Sequence, residues 1–133
     1  MPDTPAPQCF VEVRMPAGQP GNQPPAVLIH GWASHSLYWE PLAARLAEAG
    51  QTVWILDLPG YHPGQELPPG FTWTLDSAAA SVAATIEAQG ASRVHLVGHS
   101  LGGMGSCPGR IRTCSAKGLK HRSPCSPPAP RRP

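Results

Sequence analysis

One stretch limits what this chain can fold into more than any other: Val94-His95-Leu96-Val97-Gly98-His99-Ser100-Leu101-Gly102-Gly103. A short apolar run leads straight into Gly-x-Ser-x-Gly. The run reads as a strand covered on both faces, and the motif as a nucleophile elbow, a tight strand-to-helix turn that lifts the serine hydroxyl above the sheet edge. Gly98 and Gly102 suit that turn because strand and helix pass close to the serine, where a Cβ would crowd them.

Two more apolar runs lie upstream. Ala26-Val27-Leu28-Ile29-His30 is ended by Gly31, and residues 52–56 are closed by Asp57. Continuous apolar runs of this length are expected of central parallel strands. Residues 10–15 alternate apolar and charged side chains and predict a short edge strand, followed by a Pro/Gly-rich loop over residues 16–25. Between the runs, Trp39, Leu42, Ala43, Leu46 and Ala47 have the one-sided spacing of an amphipathic helix. Pro41 limits how early it starts, and Gly50 stops it. A second helix is predicted to begin near Thr74 or Asp76, with Ala79, Val82, Ala83 and Ile86 on its inner face and Gly90 beyond its end. Strands alternating with helices over short connections imply right-handed crossovers and an α/β class, a parallel sheet wrapped by helices.

Three segments, each following a predicted strand, carry a family resemblance: His30-Gly31-Trp32, then Asp57-Leu58-Pro59-Gly60-Tyr61, then Gly98-His99-Ser100-Leu101-Gly102-Gly103. In order and spacing they resemble the first half of an α/β-hydrolase over residues 10–104, an incomplete version of that fold. The combination is similar to small carboxylesterases and to methyl ester esterases of cofactor biosynthesis. The resemblance implies Ser100 as the nucleophile of a serine esterase or thioesterase that passes through an acyl-enzyme. It also implies backbone N–H groups of Trp32 and Leu101 as oxyanion donors, a small-molecule ester substrate, no cofactor and no metal. A serine at this position separates the chain from dehalogenase-like and epoxide-hydrolase-like relatives, which place an aspartate there. Asp57 stands where the family keeps a structural residue, a relocated triad acid being the alternative. The family often continues from it through a Gly-x-Gly-x-Ser-like turn, whereas here Tyr61-His62-Pro63-Gly64 intervenes. His30 is expected to shape the oxyanion loop, and His99 to pack.

The family places its acid and then its histidine after the elbow. Residues 101–133 contain seven basic groups and no Asp or Glu, whereas all eight acidic groups and only Arg14, Arg45 and Arg93 precede them. The one later histidine, His121, sits in a stretch without strand or helix periodicity. The chain alone is therefore expected to be inactive. Residues 1–9 read as a flexible N-terminus and residues 105–133 as a non-homologous, disordered Pro/Arg/Cys-rich tail, which would leave the elbow strand as an open apolar edge. Such a tail is what a GC-rich gene gives when read out of frame or through an intron. Cys107, Cys114, His121 and Cys125 lack the close Cys-x2-Cys pair of convincing zinc sites. The basic tail has no aromatic residue for base stacking, so specific nucleic-acid binding is not expected. A non-catalytic binding module, its tail engaging an anionic partner or a metal, is the alternative function. No membrane-length apolar stretch or signal-peptide pattern occurs, and a cytoplasmic setting with reduced thiols is expected. Nothing in the sequence bears on oligomeric state.

Overall fold

The apolar runs form strands, and alternate side chains along them enter two different cores. The computed structural model describes residues 6–16, 18, 22–31, 33–99 and the backbone of residues 112–115. Its strands are β1 (Phe10–Arg14), β2 (Ala26–Ile29), β3 (Val53–Asp57), β4 (Arg93–Gly98) and β5 (Arg112–Ser115). They make one sheet in the order β1-β3-β2-β4-β5. β2 runs parallel to both of its neighbours, with Leu28 level with Ile55 and Val97, while β1 lies antiparallel against β3, with Glu12 level with Ile55. The sheet is thus parallel at its centre and mixed at its edges.

The helices are α1 (Glu40–Glu48), entered through a 3-10 turn at Ser36–Trp39, and α2 (Leu75–Ala88). Leu28, Val53 and Ile55 pack with Trp39 and Ala43 on the α1 side. Val27, Ile29, Trp54 and Leu56 pack with Ala78, Val82 and Ile86 of α2 on the other. The two helices lie on opposite faces because the path reverses. From β2 the chain moves outward to β3, and from β3 it crosses back over β2 to β4, so right-handed crossovers carry α1 and α2 to opposite sides.

Both helices start as their sequences predict. Pro41 sits in the first turn of α1. Thr74 caps α2 in a reciprocal box with Ser77, and Gly90 follows at φ +83. Their inner faces differ from the predicted stripes. Leu42 is exposed and Leu46 half-buried, because Trp39, on the preceding turn, fills the space over Leu28 and Ile55. On α2 the buried face is turned so that Ala78, Ser81 and Thr85 join Val82, Ala83 and Ile86, while Ala79 is only half-buried.

Thr85 is buried for its hydroxyl. Its Oγ1 accepts from the Cys9 N–H at 2.8 Å and donates to the Ser81 carbonyl at 2.7 Å, tying the segment before β1 to α2.

The open edge predicted for the elbow strand is corrected by β5. Arg93 pairs with Ser115 and Leu96 with Arg112 in an antiparallel ladder, so four residues of the tail expected to be disordered are extended in the sheet. A strand edge accepts any backbone that offers N–H and C=O groups in register, whatever its side chains. Residues 101–111 and 116–133 lie outside the described residues.

Burial pushes the Cys9 thiol up to about 12 from its ordinary 9.0. The folded chain therefore holds this proton after an unfolded chain has released it. The contribution to stability is complete below pH 9.0 and is lost as the pH rises toward about 12. Thr85→Ala is expected to leave the buried Cys9 N–H unpaired and to lower stability by about 1–3 kcal/mol. Urea unfolding measures this, and Thr85→Ser, which restores the hydroxyl, should recover most of the loss.

Candidate active site

Every group of interest gathers at the C-terminal edge of the parallel strands. The connection from β2 leaves toward β3, away from β4, and a crevice beside such a divergence is where open parallel sheets receive ligands.

His30 directly follows β2 and is fully buried. Its Nε2 lies 3.0 Å from the Leu58 backbone nitrogen and its Nδ1 2.9 Å from the Gly31 carbonyl oxygen. A backbone N–H can only donate and a carbonyl can only accept. The imidazole is therefore neutral, with its proton on Nδ1 and a bare Nε2. It joins the end of β2 to the segment leaving β3. Gly31 O also accepts from the Ser34 N–H at 3.2 Å, which draws the chain together on either side of position 32, and Ala33 takes a left-handed φ of +52. An alanine in that region costs roughly 1–2 kcal/mol, so the loop is held in its shape by its contacts.

Asp57, at the end of β3, is also buried. Its Oδ1 accepts from the Ser36 N–H at 2.9 Å, and its Oδ2 accepts from the Ser36 hydroxyl at 3.3 Å and from His62 Nδ1 at 3.1 Å. This carboxylate fixes the start of the 3-10 turn and the loop that carries His62, whose ring stacks on Phe10 with centroids 3.6 Å apart. β2 separates β3 from β4, so Asp57 stands two strand spacings, roughly 10 Å, from the end of the elbow strand. That span and its existing bonds suit a structural residue rather than a triad acid.

On β4, the His99 N–H donates to Ile29 O at 3.1 Å, which continues the parallel ladder up to the residue before Ser100. The exposed His99 ring stacks on Tyr38 at 4.9 Å and 28°. Ser100, Trp32 and Leu101 themselves lie outside the described residues. Their chain neighbours His99 and Gly31 follow the adjacent strands β4 and β2, and the His99 N–H to Ile29 O bond keeps the ends of those strands side by side.

Three features escaped the sequence reading: the double grip of Asp57, the His62–Phe10 stack and the Tyr38–His99 stack. Only the first had a signal, in the Tyr61-His62-Pro63-Gly64 departure that places a donor near the carboxylate. The described residues contain no group of three or more metal-ligating side chains. The side chains of Cys107, Cys114, His121 and Cys125 lie outside them. No described helix is long and apolar enough to cross a membrane.

The sequence profile of the α/β-hydrolase fold family matches residues 24–107. The chain belongs to the α/β-hydrolase family. Among curated relatives of this α/β-hydrolase, a pimeloyl-[acyl-carrier protein] methyl ester esterase of Aeromonas salmonicida is 33% identical over 84 residues, 63% of this chain and 31% of that protein. A serine hydrolase-like protein of Danio rerio is 30% identical over 92 residues, covering 69% of this chain and 28% of that one. An esterase from Exiguobacterium antarcticum superposes with a TM-score of 0.58 at 28% identity, over 71% of this chain and 32% of the other. A proline iminopeptidase of Mycobacterium smegmatis superposes at 0.63 and 29%, over 72% and 33%. The chain thus spans about a third of the length of the proteins it matches.

Asp57→Ala is expected to speed exchange of the Ser36 amide by about 10- to 100-fold, the equivalent of one charge-assisted hydrogen bond. Amides of the β2–β3 ladder should be unaffected. Amide hydrogen exchange followed by NMR reads both.

Proposed function

We propose that this α/β-hydrolase chain carries the nucleophile-bearing part of a serine-dependent esterase or thioesterase acting on small carboxylic esters, in a cytoplasmic setting. The observation that carries the reading is the His99 N–H to Ile29 O bond, which brings the chain neighbour of Ser100 beside the His30-Gly31 loop. In this reading Ser100 Oγ attacks the ester carbonyl. The backbone N–H groups of Trp32 and Leu101 receive the oxyanion, each donor contributing about 3 kcal/mol to the transition state. The alcohol or thiol then leaves, and water hydrolyses the acyl-enzyme. The methyl ester esterases among the relatives support an ester substrate.

Attack also needs a base to take the hydroxyl proton. Asp57 and His30 are committed to structural bonds, and residues 101–133 contain no acid and only His121. Loss of the triad histidine in subtilisin costs on the order of a million-fold. The reading therefore assigns the acid and base to polypeptide outside residues 101–133 and has this chain inactive alone. Downstream of the Met104 codon, another reading frame should continue with a helix, apolar strands, an Asp or Glu and a late His. Every frame lacking them would overturn the reading. The 133-residue chain should show no fluorophosphonate adduct at Ser100 by intact mass, and stoichiometric labelling would contradict its inactivity.

A further inference from the structure

β1 is the outermost strand of the sheet on the β3 side, and among the described residues no strand lies beyond it. Its register against β3 runs unbroken from Phe10 opposite Asp57 to Arg14 opposite Val53. An open edge presents backbone N–H and C=O groups that can bind another strand, and proteins commonly block it with lysine, proline or a bulge. β1 has none of these. Its apolar side chains are also poorly covered. Val11 packs against the core shared with α2, but on the same face Val13 is 43% and the following Met15 59% exposed. On the other face, Arg14 bonds Glu12 at 2.7 Å and Glu40, at the start of α1, at 2.9 Å.

We propose that this edge pairs with β1 of a second copy of the chain, antiparallel about a two-fold axis at Val13, joining two sheets into one. In that register the strand is complementary to itself. Glu12 stands opposite Arg14 of the second copy and Arg14 opposite its Glu12, so four charges alternate in a square on one face. On the other face Val13 meets its own copy at the axis, with Val11 and Met15 opposite one another on either side. This seam covers apolar side chains that a single chain leaves wholly or partly in water. Moving the axis by one residue would set Glu12 against Glu12 or Arg14 against Arg14, like charges directly opposite. Charge therefore selects both the partner and the register, and a symmetric interface of this kind closes at two copies. The ladder ends before Pro16, which has no N–H to offer. Five residues span roughly 17 Å and bury less than a standard interface, so the dimer is weak, with a dissociation constant on the order of 0.1 mM. The pairing does not depend on the esterase reading, since β3 and β2 separate β1 from β4.

Sedimentation equilibrium of the full chain under reducing conditions tests this. The unaltered chain should pass from monomer to dimer over roughly 0.01–1 mM. Val13→Lys and Val13→Glu each change a side chain that is exposed in the single chain. Each variant alone should dimerise about tenfold more weakly, because like charges then meet at the axis. Mixed in equal amounts, the two should recover dimers to within about threefold of the unaltered chain, since opposite charges now meet there. Glu12→Arg should weaken dimerisation about tenfold, because the two-fold axis reverses two charge pairs at once. Monomer at every concentration, undiminished dimers of the Val13→Lys, Val13→Glu and Glu12→Arg chains, or no recovery in the mixture would each overturn the proposal. The second of these results would locate self-association at another surface of the chain.

Discussion

The buried imidazole of His30 is the constraint on which the C-terminal edge of the sheet depends. Parallel strands have no hairpins to set their ends, so the loops leaving β2 and β3 need another tie. His30 supplies it by donating to its own strand's exit at Gly31 and accepting from the first residue beyond β3, Leu58. With both ring nitrogens engaged in a site closed to water, the residue carries no charge, and its burial leaves no polar atom unpaired. A leucine of similar size would fill the space and leave the Leu58 N–H without an acceptor.

Asp57 performs the matching task one strand over. Its carboxylate holds the beginning of the 3-10 turn on one side and His62 on the other. Together the two residues fix both ends of the segment from Gly31 to Ser36, which leaves the sheet beside the end of β4. These buried ties hold the C-terminal edge of this α/β-hydrolase's sheet through groups that are neutral or fully bonded.

The central strands and both helices were legible because burial on two faces requires continuous apolar runs, and because Thr74, Gly50 and Gly90 mark their ends by local chemistry. Thr85 and Ser81 misled the inner-face assignment of α2. Polar residues count as outward in a periodicity, yet Thr85 faces inward to receive the Cys9 N–H. β5 was illegible for a different reason. Its pairing with β4 runs through backbone groups, which Arg-Thr-Cys-Ser offers no more conspicuously than any other tetrapeptide. At the site, the roles of His30 and Asp57 as structural residues could be read from their places after strands. The Tyr38–His99 stack could not, since it joins residues far apart in sequence that meet only when β2 and β4 pair.

The central claim is that a neutral His30 ties β2 to the exit of β3 and so shapes the C-terminal edge of the sheet. Its ring state is directly observable in a long-range 1H–15N correlation spectrum of the full chain. The account predicts a neutral imidazole protonated on Nδ1, with a bare, hydrogen-bonded Nε2. A ring protonated on Nε2, whether neutral or charged, could not accept from Leu58 and would contradict it.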